Sequence, residues 1–285
     1  MINALIDIGS NTIRLVVYEG FKEIENYADY AGLIADVSNG EISPVGIGKI
    51  TKALLGMKKR AEALGATNIY AFATASLRDI EDKESLVSFI KAATGIEIEM
   101  ISGEAEAYYD YLGLKKVNNI YDGAAFDLGG GSCQIMVFKN DKVEGAVSLP
   151  LGGLKLHTGF VKGNIPSSDE REQLAEYVKS KVLSFKSLTN CGFSQLYAMG
   201  GSVFALSNLA KVYFGDDSIL NSETLTKLCN LTEEQIVRIV PKRLKSVVPA
   251  AIVMLELLEV SGAEEIVITT AGVRDGILFS KFSGC

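Results

Sequence analysis

The chain has 285 residues, 48% of them apolar, and a formal net charge of −7. That length suits two domains, each able to bury its own core, and the acidic balance argues against broad nucleic-acid binding. Four cysteines (Cys133, Cys191, Cys229, Cys285) are too scattered for a metal cluster and read as reduced thiols. The first strand starts almost at Met1, so no signal peptide is expected and a cytoplasmic location is.

In chain order, "ALIDIGSNTIRLVVYE" (4–19) reads as a β-hairpin: strand, short Gly/Ser/Asn loop, strand. Residues 20–45 hold a third strand and a loop around "SNGEISP". "VGIGKITKALLGMKKRAEALGA" (45–66) is helical, and its Lys49, Lys52, Lys58, Lys59 and Arg60 read as a solvated face. "NIYAFATASLRD" (68–79) is a buried strand running into a loop with Arg78. Asp79 or Asp82 caps a helix to about Thr94. "IEIEMISG" (96–103) is a strand, and "EAEAYYDYLGL" (104–114) opens a helix directly behind it. "AFDLGGGSCQIMVF" (125–138) is a second hairpin, and "SLPLGGLKL" (148–156) a strand and Gly turn. Ser167 with Glu170 makes a capping box for a helix over 168–186. "QLYAMGGSVFALSNLA" (195–210) is strand, Gly-Gly-Ser loop, helix, and Thr232 with Gln235 caps another helix. "VVPAAIVMLELLEV" (247–260) is short and carries Glu256 and Glu259, so it is a buried helix and not a membrane span. "EEIVITTAGVRDGILF" (264–279) is strand, Gly-rich loop, short helix. The alternation of strands and helices predicts an α/β fold. The lone His157 cannot build a multi-histidine metal site and reads as a satisfied or surface histidine.

The two hairpins are copies. With a 120-residue offset, Asp7 falls on Asp127 and Gly9 on Gly129. Ser10, Asn11 and Thr12 fall on Gly130, Gly131 and Ser132, and Arg14 falls on Gln134. A loop of this composition turns backbone N–H groups toward a common point with no side chain in the way, which makes a nest for phosphate. The aspartate ending each first strand suits a Mg²⁺ ion or an attacking water. Two such loops predict two facing domains, 1–120 and 121–285, with the last helix able to pack back on the first. Neither a P-loop nor a Rossmann fingerprint occurs. The glycine loops are expected at the C-terminal ends of parallel strands.

Taken together, "DIGSNTIRLVV", "ATASLRD", "EIEMISGEAEA", "FDLGGGSCQIMVF", "SLPLGGLKL", "AMGGSV" and "TAGVRDGIL" resemble, in order and spacing, the exopolyphosphatase and guanosine pentaphosphate phosphohydrolase family. That family lies within the actin/sugar-kinase/heat-shock ATPase superfamily. The resemblance implies two duplicated ribonuclease-H-like domains facing a central crevice. It implies Mg²⁺-assisted release of terminal phosphate from inorganic polyphosphate or pppGpp. By position, Glu106 matches the family's catalytic glutamate and Asp127 its metal-binding aspartate; Asp7 and Gln134 complete the metal candidates. Gly9, Ser10, Asn11, Arg78 and Gly129, Gly130, Gly131 and Ser132 match phosphate-holding positions, to which Arg14, Gly201 and Ser202 are added. The implied partners are polyphosphate or guanosine penta/tetraphosphate, with no nucleic acid and no membrane; a homodimer is left open. Two features depart from the family. Gln134 stands where the family usually has a glutamate that helps hold Mg²⁺, and the further C-terminal helical domain that many members carry has no counterpart in this sequence, an expectation that counts against processive action on very long chains. Two other readings remain: an ATP-dependent small-molecule kinase of the same superfamily, and a non-catalytic sensor of ppGpp-like ligands.

Overall fold

The computed structural model describes residues 1–189, 191–215 and 218–282; Cys285 lies outside them. The first hairpin forms where its alternation requires. Ile2–Ile8 (β1) and Ile13–Glu19 (β2) pair antiparallel, with Ala4, Ile6, Ile8, Ile13, Leu15 and Val17 in one core. Asp7 and Arg14 are cross-strand partners on the opposite face. Lys22–Asp29 (β3) adds an edge strand, and Val37–Ser38 (β4) with Glu41–Ile42 (β5) forms a small hairpin in the "SNGEISP" stretch. Ser43 then caps Pro44–Ala63 (α1), its hydroxyl accepting the Gly46 N–H at 3.1 Å. The basic residues of this helix are used structurally in part. Lys49 pairs with Asp36 at 2.7 Å, Lys58 donates to the Thr94 carbonyl, and Arg60 lies over the Tyr27 ring.

Asn68–Ala73 (β6) runs parallel to β1. It leads into a single helical turn, Ala75–Arg78 (α2), where the sequence reads as a loop. The Ser76 hydroxyl donates to the Ile8 carbonyl at 3.0 Å and so ties this turn to the end of β1. Asp82, not Asp79, caps Lys83–Thr94 (α3) through the Ser85 N–H. Ile98–Met100 (β7) completes a five-stranded sheet ordered β3-β2-β1-β6-β7.

Gly103–Asn118 (α4) follows, and the division of the chain falls inside it. Contacts separate Met1–Ala105, together with the chain from Ser280, from Glu106–Phe279. The sequence places this boundary at 120. The difference arises because α4 buries Ala107, Tyr111 and Leu114 on Ala125, Met136 and Phe138 of the second sheet.

That sheet repeats the plan of the first. Gly123–Leu128 (β8), Cys133–Lys139 (β9) and Lys142–Leu149 (β10) form the same antiparallel meander. Even the bulge is copied: the register skips Ile24 in β3 and Glu144 in β10, positions again related by the 120-residue offset. Gly153–Phe160 (α5) and Ser168–Val182 (α6) come next, the latter with the expected Ser167–Glu170 capping box. Gln195–Met199 (β11) and Gly201–Phe214 (α7) follow as expected. Ile219–Asn221 (β12) and Ser222–Cys229 (α8) are elements that the sequence reading missed. Glu233–Ile239 (α9) carries the Thr232–Gln235 capping box, and Leu244–Ser261 (α10) is buried on nearly every side against α5, α6 and α8. Glu265–Ile268 (β13) and Val273–Phe282 (α11) end the unit's order, β10-β9-β8-β11-β13-β12. Within the first unit, Lys281 from the last turn of α11 lies 3.3 Å from Glu99 and over the Tyr70 ring. Among the described residues, no helix is long and apolar enough to cross a membrane.

His157 is buried. Its Nε2 lies 3.0 Å from the Gly163 carbonyl and 3.2 Å from that of Asn164, so that nitrogen carries the proton. It is a satisfied core histidine.

Candidate active site

The two glycine loops share their hydrogen bonding as well as their sequence. Gly129 donates to the Ser132 carbonyl at 3.0 Å, and Gly9 donates to the Thr12 carbonyl at 3.0 Å. In the second unit, the Gly129 carbonyl accepts from Gly153 at 3.1 Å; that of Gly130 accepts from Leu154 at 3.0 Å and Lys155 at 2.9 Å. In the first unit, Ile34 donates to the Ser10 carbonyl and Gly32 to that of Asn11, both at 3.0 Å. The segment after each meander thus ties down the loop's carbonyls. Among the described residues, none of these loop bonds uses the amides of Gly130, Gly131 or Ser132. Three successive amides outside the loop's own bonding are what an anion nest requires. The sequence reads "PLGGLKL" as a plain Gly turn. Gly153 instead starts α5, and the first-turn amides, which have no acceptor inside a helix, bond the loop. Gly152 lies flat against Gly130 and Gly131, where any Cβ would overlap their backbone.

Glu106 sits in the first turn of α4, after Ser102, whose hydroxyl accepts the Ala105 N–H at 3.1 Å. Glu104 is exposed. Its own backbone amide, the Ser102 hydroxyl and the Arg78 charge hold its carboxyl below the ordinary range. Glu106, by contrast, is only 6% exposed. The Gln134 side-chain nitrogen donates to the Glu106 carboxylate at 3.0 Å. The same nitrogen is 2.8 Å from the Ser132 hydroxyl and 2.9 Å from that of Ser148. Strand alternation explains the meeting. Gln134, Met136 and Phe138 share the face of β9 that α4 covers, and Ser132 points the same way. Asp127 is the cross-strand partner of Gln134, and Ser148 is its partner on β10. Burial pushes the neighbouring Cys133 thiol well up, and the charges of Asp127, Asp110 and Glu106 push it further. Asp110, one turn beyond Glu106 and fully buried, was not singled out in the sequence.

Gly200 has φ +106°, and a Cβ there would strike Asp127 Oδ1 and the Leu128 backbone, so only glycine lets the chain pass into α7. A Cβ on Gly201 would strike the Arg243 guanidinium. Arg243 therefore lies across the N-terminus of α7, beside Gly201 and Ser202. The Ser202 hydroxyl is buried without a hydrogen-bond partner among the described residues. Arg243 is the functional candidate that sequence reasoning missed; its only signal was the basic run "PKRLK" before the buried helix. In the first unit, Ser10 is buried, Arg78 ends α2, and Arg14 donates to Asn26 on the exposed strand β3 at 2.5 Å.

Mg²⁺ prefers oxygen ligands and is held by one or two carboxylates plus substrate phosphates. Among the described residues, no three His, Cys, Asp or Glu side chains gather as a metal cage. The Asp127 carboxylate, beside the neutral Gln134, is an oxygen donor of the kind Mg²⁺ takes.

A sequence profile of the Ppx/GppA phosphatase family matches residues 33–283. The chain is 24% identical to a bifunctional 3-dehydroquinate synthase/phosphatase of Fusobacterium nucleatum, covering 94% of this chain and 45% of that protein. It is 26% identical to exopolyphosphatase 1 of Mycobacterium tuberculosis, over 62% of this chain and 54% of that one. The chain spans about half the length of the curated relatives it matches. Among solved structures, an exopolyphosphatase from Cytophaga hutchinsonii superposes with a TM-score of 0.90 at 20% identity, covering 100% of this chain and 98% of that one. The Aquifex aeolicus member of the Ppx/GppA family superposes with a TM-score of 0.79 at 23% identity, again covering 100% and 98%. Such likeness establishes the fold: α/β, with two duplicated domains of the ribonuclease-H type.

Proposed function

Because the chain belongs to the Ppx/GppA phosphatase family, we propose that it hydrolyses the terminal phosphoanhydride of inorganic polyphosphate, of pppGpp, or of both. The observation that carries this reading is the buried Glu106 carboxylate, fixed by Gln134 in the same network as Ser132 of the open-amide loop. Phosphoryl transfer asks the protein for position and for positive charge on the nonbridging oxygens. In this reading the amides of Gly130, Gly131 and Ser132 hold one phosphate. Ser202 and Arg243 at the N-terminus of α7 hold another, Arg243 with charge-assisted bonds. Gly9, Ser10, Asn11, Arg14 and Arg78 are the corresponding phosphate contacts of the first unit.

Glu106 accepts a proton from water as the water oxygen bonds to the terminal phosphorus. The anhydride P–O bond breaks, and the electron pair leaves with the shortened chain. Mg²⁺ held by Asp127 would neutralise phosphate charge; Asp7 is the matching carboxylate of the first unit. A malachite-green assay with Mg²⁺ across triphosphate, long polyphosphate, pppGpp and ATP tests the proposal. Phosphate from polyphosphate or pppGpp supports it. ADP formation with a small-molecule acceptor would instead make it a kinase, and tight binding of ppGpp with no turnover would make it a sensor.

A further inference from the structure

The amide of Gln134 does more than replace a carboxylate. We infer that Gln134 is a positioning residue that sets where the Glu106 carboxylate sits for attack on phosphorus; the inference rests on reading Glu106 as the base. With Glu106 ionised, as its reading as the base requires, the direction of the bond follows from chemistry. Three oxygens surround the Gln134 nitrogen: Ser132 Oγ at 2.8 Å, Ser148 Oγ at 2.9 Å and Glu106 Oε2 at 3.0 Å. An amide reversed in this place would point its carbonyl lone pairs at a carboxylate. Only the NH₂ end can face Glu106, and it has two protons to offer.

The anchor is rigid. Gln134 is 1% exposed and lies on β9, which is paired on both sides by β8 and β10. Its amide is flanked by Ser132 on its own strand face and by Ser148 across the ladder. Glu106 belongs to a different element, α4. The far end of that helix is fixed separately, by the Tyr111 hydroxyl and Lys115 on Asp141, at 2.7 Å and 2.5 Å. Near its start, the Gln134 amide ties the Glu106 carboxylate to the sheet. A glutamate in this place could not serve, because an ionised carboxylate has no N–H to donate. The departure from the family at this position therefore gives Glu106 a fixed donor.

The test is Gln134→Met, which keeps the length of the side chain and removes the donor. In its crystal structure the Glu106 carboxylate should leave its wild-type position or spread over several rotamers, with the α4 backbone unmoved. In turnover of polyphosphate or pppGpp, kcat should fall roughly 10- to 100-fold with KM changed less than about twofold, as expected for a misplaced reactive group. Added to a Glu106→Gln background, Gln134→Met should cost nothing further, since it acts through Glu106. An unmoved, ordered Glu106 in the variant crystal, or losses that multiply in the double variant, would overturn the inference. If the wild-type protein released no phosphate, the hydrolase reading would fail, and the crystal comparison would still decide the positioning. Should Gln134→Met not fold, Gln134→Asn takes its place: it keeps the amide but falls one methylene short of Glu106, and the same outcomes apply.

Discussion

Gly152→Ala should loosen the phosphate loop by pressing on its backbone, although Gly152 itself is not proposed to meet substrate. Gly152 has an ordinary φ of −62°, so a methyl group there meets no backbone strain of its own. What it meets is the main chain of Gly130 and Gly131, at separations well under the 3.0 Å that real Cβ atoms keep. Backbone atoms cannot rotate away as a side chain end can. The loop and the start of α5 must therefore part, which puts at risk the bonds from Gly153, Leu154 and Lys155 to the loop carbonyls, now at 3.1, 3.0 and 2.9 Å. Overpacking costs about 1–3 kcal/mol and each lost bond about 1 kcal/mol, so the variant should lose roughly 2–5 kcal/mol. That is a large share of an ordinary domain's stability. Urea unfolding followed by circular dichroism reads the loss as a lowered midpoint with an unchanged slope. Gly48→Ala is the matched control: Gly48 is exposed in α1 with open space where a Cβ would go, and the change should stabilise by up to about 1 kcal/mol. If Gly152→Ala unfolds at the wild-type urea concentration and releases phosphate at the wild-type rate, the loop is not held in the way described.

Arg243→Ala should raise KM for the phosphate substrate about 10- to 100-fold, the scale of a lost charge-assisted bond, and leave the urea midpoint nearly unchanged. Ser167→Ala removes the cap of α6 and should cost about 1 kcal/mol in urea unfolding, with no effect on substrate affinity. Glu256 is buried in α10, and burial first, then the Glu259 charge, holds its carboxyl above the ordinary range. The folded state therefore bears a growing penalty as pH rises from the ordinary carboxylate value through the raised one. Glu256→Gln should be more stable than wild type at neutral pH, and the gain should vanish below about pH 4; an equal gain at both pH values would refute the assignment.

The parts of this fold that could be read in the sequence are those written in local chemistry. The hairpins at Asp7 and Asp127 announce themselves because the offset preserves strand alternation and loop composition, and the matching Gly9 and Gly129 bonds follow. The capping boxes at Ser167 and Thr232 need only four residues each. What stayed hidden depends on tertiary partners. The strand β12 is three residues long and exists through its pairing with β13. Gly153 reads as a turn until the carbonyls of Gly129 and Gly130 appear as acceptors for a helix start. Motif order singles out Glu106 and Asp127 as candidates, whereas the bond between Gln134 and Glu106 joins a strand to a helix 28 residues away. Arg243 is a plain basic residue in sequence, and only the packing of Gly201 beneath it places it at α7.

The central claim is that Glu106 activates water for phosphoanhydride cleavage. The most direct measurement compares wild type with Glu106→Gln, under the same Mg²⁺, for phosphate release and for binding of polyphosphate and pppGpp. The glutamine keeps an oxygen to accept the Gln134 N–H but cannot take a proton from water. The account predicts turnover lower by about 10²–10⁴-fold with affinity almost unchanged. Wild-type turnover in the glutamine variant, or no phosphate release by either protein from any of these substrates, would contradict it.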